Sequence, residues 1–177
     1  MYIWVGIKVE DQLKMVKAQA QRIENEIGFD HSNFTLPLHI SLKISFPIED
    51  AKYEIYAEEI RKIYRNTKPF EIKVRGLELE NNIAWIRMEK SKALESLSTQ
   101  INMVMLKKYG VQLHEYDMDF KFHTTMFMDD NESKVKSAFD KLKDCPIPSI
   151  LLANKFVIGV SPAGKLGTYK VIEEINV

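Results

Sequence analysis

The chain has one cysteine, Cys145, which leaves no partner for an intrachain disulfide and no basis for a cysteine-built metal cluster. It has no apolar run approaching the ~20 residues of a membrane span. It has no excess of either charge: 25 basic and 25 acidic side chains cancel. That balance argues against a broad polyphosphate-binding surface, while leaving room for a short nucleotide or an RNA end in a local pocket. It also lacks a basic region ahead of its apolar N-terminal stretch, Met1 to Ile7, which runs straight into a polar helical pattern. That stretch reads as a strand and not a signal peptide, and the expected location is the cytoplasm. Low-complexity segments and long linkers are missing too, so residues 1–177 are expected to form one bilobal domain; the sequence does not give the oligomeric state, for which a monomer is the expectation.

What remains is the composition of an ordinary globular protein, 45% hydrophobic and 28% charged. Tyr2 to Val9 is apolar enough for a strand inside a sheet. Leu13, Val16, Ile23 and Ile27 recur at helical spacing, predicting a helix from about Glu10 to Glu26 that Gly28 ends. A second helix is expected from about Asp50 to Arg65, with Tyr53, Tyr56, Ile60, Ile63 and Tyr64 inward. Phe70 to Leu79 and Ile83 to Met88 alternate as a hairpin across Glu80-Asn81-Asn82. Ser91 to Lys108 reads as a helix followed by Gly110, and Asp129-Asp130-Asn131 as the cap of another. Ile150 to Val160 and Thr168 to Ile175 are expected to close the chain as two strands around the turn-rich loop Ser161 to Gly167. The order is β-α-β-α-β-β, then α-β-α-β-β: two similar halves.

Each half holds one strand of unusual chemistry. In Leu38 to Phe46 the even positions are apolar, and His39, Ser41, Lys43 and Ser45 share the opposite face. In Phe120 to Met128, Lys121, His123 and Thr125 share a face. Each strand presents a histidine and, roughly 6.5–7 Å along the same face, a hydroxyl. Two such faces brought together would surround one phosphorus atom with two imidazoles and two hydroxyls. Histidine titrates near neutrality, so one ring could take a proton from the attacking oxygen while the other gives one to the departing oxygen. Ser41 and Thr125 would hold the non-bridging oxygens. Lys43 and Lys121 extend the two faces and could neutralise phosphate charge or be no more than the solvated ends of strands. This chemistry needs no metal. A metal centre is the alternative reading; it would draw a third ligand from His114-Glu115-Tyr116-Asp117. Trp4 and Trp85 could stack a base or be buried in the sheet. Lys165 and Tyr169 could reach over the groove from the final hairpin or simply serve the turn and edge strand. His31 and His114 lie in polar, loop-like surroundings.

His39-Ile40-Ser41-Leu42 and His123-Thr124-Thr125-Met126, about half the chain apart, resemble the paired motifs of the two-histidine (2H) phosphoesterases. That family includes LigT-like RNA ligases and cyclic phosphodiesterases. The resemblance covers the spacing and the duplicated layout. It implies an α/β (α+β) bilobal fold, with two mainly antiparallel sheets flanking a central groove and helices outside. It implies a metal-independent, cofactor-free phosphoesterase that hydrolyses, or reversibly transfers, a 2′,3′-cyclic, 2′-5′ or related phosphodiester of a nucleotide or short RNA. His39 and His123 would be catalytic, and Ser41, Thr125, Lys43 and Lys121 would bind phosphate. Two departures bear on substrate and binding strength. Thr124 stands where an aliphatic residue is usual, and Met126-Phe127-Met128-Asp129 lacks the basic residue often found after the second motif. A non-catalytic nucleotide- or RNA-binding module of the same fold is the competing expectation.

Overall fold

The computed structural model describes residues 1–165 and 167–177; Leu166, in the turn-rich loop, lies outside the described residues. Among these residues are eight strands: β1 (Tyr2–Lys8), β2 (His39–Pro47), β3 (Phe70–Glu80), β4 (Ile83–Met88), β5 (His123–Met128), β6 (Ile150–Ala153), β7 (Lys155–Ser161) and β8 (Lys170–Asn176). The helices are α1 (Lys14–Ile27), α2 (Tyr53–Arg65), α3 (Lys92–Tyr109), the single turn α4 (Glu115–Met118) and α5 (Glu132–Leu142). Short 3-10 turns at Glu10–Gln12 and Asp50–Lys52 occupy what the sequence reads as the first turns of α1 and α2.

The helices follow their sequence signals. Val16, Ala20 and Ile23 of α1 are buried on one stripe, and Gly28 ends the helix at φ 75°, a left-handed conformation that glycine adopts without penalty. Ser91 Oγ accepts from the Leu94 amide to start α3, and Asn131 Oδ1 accepts from Ser133 and Lys134 to start α5. Asn81, at φ 54°, makes the tight turn between β3 and β4.

The strands form two four-stranded antiparallel sheets, in the orders β2-β1-β7-β8 and β5-β4-β3-β6. Helices α2 and α3 pack together, with α3 on β2 and α2 on β8; α1 and α5 pack together, with α5 on β3, β4 and β5. A single contiguous core joins the inner faces, from Ile3, Val5 and Ile7 to Ile86, Met126 and Phe127. Both strands that begin with a histidine, β2 and β5, are sheet edges, and these two edges contact each other.

The segment expected as one strand from Ile150 to Val160 is divided at Asn154. Its first part pairs with β3 in the second sheet, and its second part pairs with β1 in the first. The burial pattern explains the division. Leu151 and Ala153 alternate with exposed Ile150 and Leu152, as an edge strand does, whereas Phe156, Val157 and Ile158 are buried in succession, as in a strand covered on both faces.

Candidate active site

The two histidines are held alike. His39 pairs across the ladder with Lys8 of β1, and Ser41 with Gly6; His123 pairs with Arg87 of β4, and Thr125 with Trp85. His39 Nδ1 lies 2.8 Å from the Pro37 carbonyl, and His123 Nδ1 2.5 Å from the Lys121 carbonyl. A carbonyl only accepts, so each Nδ1 carries the hydrogen and each Nε2 is left as the working nitrogen. Trp4 lies against His39 and Trp85 against His123, both at 4.4 Å between ring centroids, with interplanar angles of 41° and 42°. The two indoles are thus buried as supports of the histidines. The indole of Trp4 needs bare backbone beneath it: a Cβ built on Gly159 would stand 2.0 Å from its Nε1.

Burial pushes the His39 imidazole below the usual histidine value, against the opposing pull of the Pro37 carbonyl. Burial is also the largest cause at His123, whose value the Arg87 and His39 charges push further down, while the Lys121 carbonyl and Glu80 oppose.

A groove of about 300 Å³ runs beside His39, lined by Trp4, His39, Ser41, Lys43 and Thr125 together with Asn33, Leu36, Met128 and Tyr169; His123 and Lys121 are not among its lining residues. Tyr169 reaches it by a hydrogen bond between its hydroxyl and Ser45 Oγ, 2.7 Å long; Lys165 stays exposed in its loop.

The two lysines depart from the expected arrangement. The ladder between β1 and β2 shifts register twice, so that Ser41 opposes Gly6 but Lys43 opposes Val5, a residue of the core face. The extra residue between Ser41 and Lys43 reverses the alternation there and turns the Lys43 side chain inward. Its ammonium bonds Asn102 Oδ1 and Asp117 Oδ2, both at 2.8 Å, and the Lys43 and Asp117 side chains are 1% and 0% exposed. Lys43 is therefore a buried structural cation and not a free phosphate ligand. Lys121 bonds both carboxylate oxygens of Glu80, at 2.9 and 3.0 Å, on the exposed rim.

Asp117, from the segment that the metal alternative would need, is committed to Lys43, the Ile44 amide and the His114 amide. Among the described residues no group of three or more His, Cys, Asp or Glu side chains is placed to share a metal ion. None of the described helices is long and apolar enough to cross a membrane.

Sequence reasoning missed Asn33 and Arg87. Asn33 lies in the irregular segment before β2, and buried Glu24 of α1 fixes it through its backbone and side-chain amides. Its Oδ1 accepts from the Met128 amide of β5, so this segment closes one side of the groove. Arg87 shares the face of Trp85, an alternation that was available in the sequence but was hidden by the histidine motifs.

The model of the 2′-5′ RNA ligase superfamily matches residues 12–158. The chain belongs to that superfamily, one of two-histidine phosphoesterases. A Bacillus mycoides (strain KBAB4) protein named as a proposed phosphoesterase is 26% identical over 133 residues, 73% of each chain. One from Bacillus cytotoxicus, named likewise, is 29% identical over 106 residues, 58% of each. The superfamily fold is seen in TT0787 of Thermus thermophilus, at a TM-score of 0.65 and 15% identity over 99% of this chain and 97% of that one. It is seen again in Escherichia coli LigT, at 0.59 and 12% over 99% and 96%. The superfamily's bilobal α/β layout is thus the layout of this chain.

Proposed function

We propose that this chain, working as one bilobal unit over residues 1–177, is a metal-independent phosphodiesterase of the nucleotide or RNA-end type. Its substrate is a 2′,3′-cyclic, 2′-5′ or related phosphodiester. The observation that carries the reading is the matched pair of histidines. Each has Nδ1 tied to a carbonyl two residues back, Nε2 free, and a hydroxyl two residues onward on the same face, at the contact between β2 and β5.

In hydrolysis of a 2′,3′-cyclic phosphate, a neutral Nε2 takes a proton from water as the water oxygen bonds to phosphorus. The bond from phosphorus to one ribose oxygen breaks, and that oxygen receives a proton from the other, protonated ring. Each transfer contributes about 10²–10⁴ in rate. The ring that gave its proton and the ring that gained one then exchange protons with solvent before the next turnover. Ser41 and Thr125 hold the non-bridging oxygens in line. Burial leaves both rings reluctant to carry charge, so the anionic substrate itself supplies the field that protonates one of them. Lys121 can exchange Glu80 for phosphate, because a surface ion pair of this kind is worth under about 1 kcal/mol.

A protein of this fold, Escherichia coli LigT, was crystallised with 3′-AMP and with phosphate, which makes nucleotide phosphates the first compounds to test. The test is turnover of 2′,3′-cyclic, 2′-5′ and 3′-5′ substrates in EDTA. Turnover of the cyclic or 2′-5′ compound is expected. Binding of all three without turnover of any would replace the enzyme by a binding module, and turnover abolished by EDTA would replace the two-histidine chemistry by a metal's.

A further inference from the structure

Strands β1 and β4 occupy the same place in the two halves, each next to the histidine strand of its sheet. The residue opposite His39 is Lys8, and the residue opposite His123 is Arg87. Each histidine therefore has a cation across the ladder from it, but the two cations are treated differently. Lys8 Nζ lies 2.6 Å from Glu174 Oε1 and is thereby neutralised. Arg87 has only a long contact of this kind among the described residues. Its Nε and Nη1 are buried with no hydrogen-bond acceptor among the described residues. The nearest carboxylate, Glu78, stands 3.6 Å from Nε and is already held by Arg75 at 2.9 Å. The guanidinium lies over the Trp85 ring, 5.3 Å from its centroid, and that ring packs on His123.

An arginine whose side chain is only 12% exposed, with two donors lacking a hydrogen bond among the described residues, bears a cost of desolvation that one long ion pair at 3.6 Å, shared with Arg75, offsets only in part. Planar, forked donors match a phosphate's oxygens better than any other side chain does. We infer that Arg87 is an anion-binding residue of this site, taking a phosphate oxygen of the substrate on the His123 side of the groove. The inference rests on the phosphodiesterase reading above. The oxygen belongs either to the scissile phosphate or to the next phosphate along an oligonucleotide. The half with the neutralised Lys8 has no counterpart, so the groove has one anion-binding end, and a substrate is bound in one direction only.

The test titrates inorganic phosphate into wild type, Arg87→Gln, Arg87→Lys and Lys8→Gln, followed by calorimetry and by the His123 imidazole NMR signals. Unfolding midpoints are measured alongside. Phosphate is expected to bind Arg87→Gln about 10–100-fold more weakly than wild type, the loss typical of a charged hydrogen bond. Arg87→Lys, which keeps the charge without the fork, is expected to fall between them, and Lys8→Gln to match wild type. Equal phosphate affinity in wild type and Arg87→Gln would overturn the role of Arg87 and leave the phosphodiesterase reading standing. Should Arg87→Gln not fold, wild-type affinity in folded Arg87→Lys would overturn the need for the fork. No phosphate binding by wild type at all would defeat the parent reading, and this one with it. Steady-state kinetics on a 2′,3′-cyclic mononucleotide and on a dinucleotide then identify the oxygen. A deficit on both substrates assigns it to the scissile phosphate, and a deficit on the dinucleotide alone to its neighbour.

Discussion

Asn33 and Asp117 stand at the same step of the two halves, each six residues before its histidine, and each closes the outer edge of the other half's histidine strand. Asp117 Oδ1 accepts from the Ile44 amide at 2.9 Å, and Asn33 Oδ1 from the Met128 amide at 2.8 Å. Ile44 and Met128 are themselves equivalent, each five residues after its histidine. The two clasps satisfy edge amides that a sheet would otherwise leave open, and they hold β2 and β5 side by side.

The clasps differ in charge, so they should fail differently. Asp117→Ala leaves the buried Lys43 ammonium without its counter-ion and should cost about 3–5 kcal/mol in urea unfolding. Asn33→Ala removes the hydrogen bond to the Met128 amide and the one that the Asn33 side-chain amide donates to Glu24, strands no charge of its own, and should cost about 1–3 kcal/mol. Both variants should also lose turnover at temperatures where they remain folded. Wild-type stability in Asp117→Ala would show that the Lys43 pair is dispensable.

Gly159→Ala should move Trp4. The added Cβ would meet the indole at 2.0 Å and the Lys170 carbonyl at 2.6 Å, so the indole must leave its place against His39. Overpacking of this kind should cost about 1–3 kcal/mol, and activity should fall with it. Quenched or shifted Trp fluorescence together with unchanged kcat would contradict a supporting role for Trp4.

Much of this fold was legible in the residues. Periodicity marked the helices, Asn81-Asn82 marked the hairpin, and the paired His-x-Ser/Thr strands pointed to the superfamily. What escaped was set by register and tertiary context. Strict alternation put Lys43 beside His39 and Ser41, but the register shift between Ser41 and Lys43 turned it inward to Asp117. The crossing at Asn154 could not be seen because a run of apolar residues reads the same in one strand as in two. Arg87 and Asn33 carry no motif; their meaning comes from neighbours distant in sequence.

Acidification should weaken both the fold and the catalytic base. His39 and His123 have folded pKa values below the unfolded value of about 6.5, so between those values the unfolded chain binds more protons. Stability should therefore rise with pH through that window and be lost as pH falls below about 6.5. His39→Gln should show a shallower pH dependence of its urea midpoint than wild type. For the same reason kcat/KM, which reports the free enzyme, should peak on the acid side of about pH 6.5. The kcat profile, reporting the complex with an anionic substrate, should be displaced to higher pH. A kcat/KM maximum above about pH 7.5 would contradict burial as the dominant influence on the two rings.

The central claim is that two imidazoles share one phosphorus atom. Initial rates on a 2′,3′-cyclic nucleotide in EDTA, for wild type, His39→Ala and His123→Ala at matched folded fraction, test it most directly. Each single variant should lose about 10²-fold or more, and the double variant little beyond that, because acid and base act as a unit. Wild-type turnover in either single variant would contradict it.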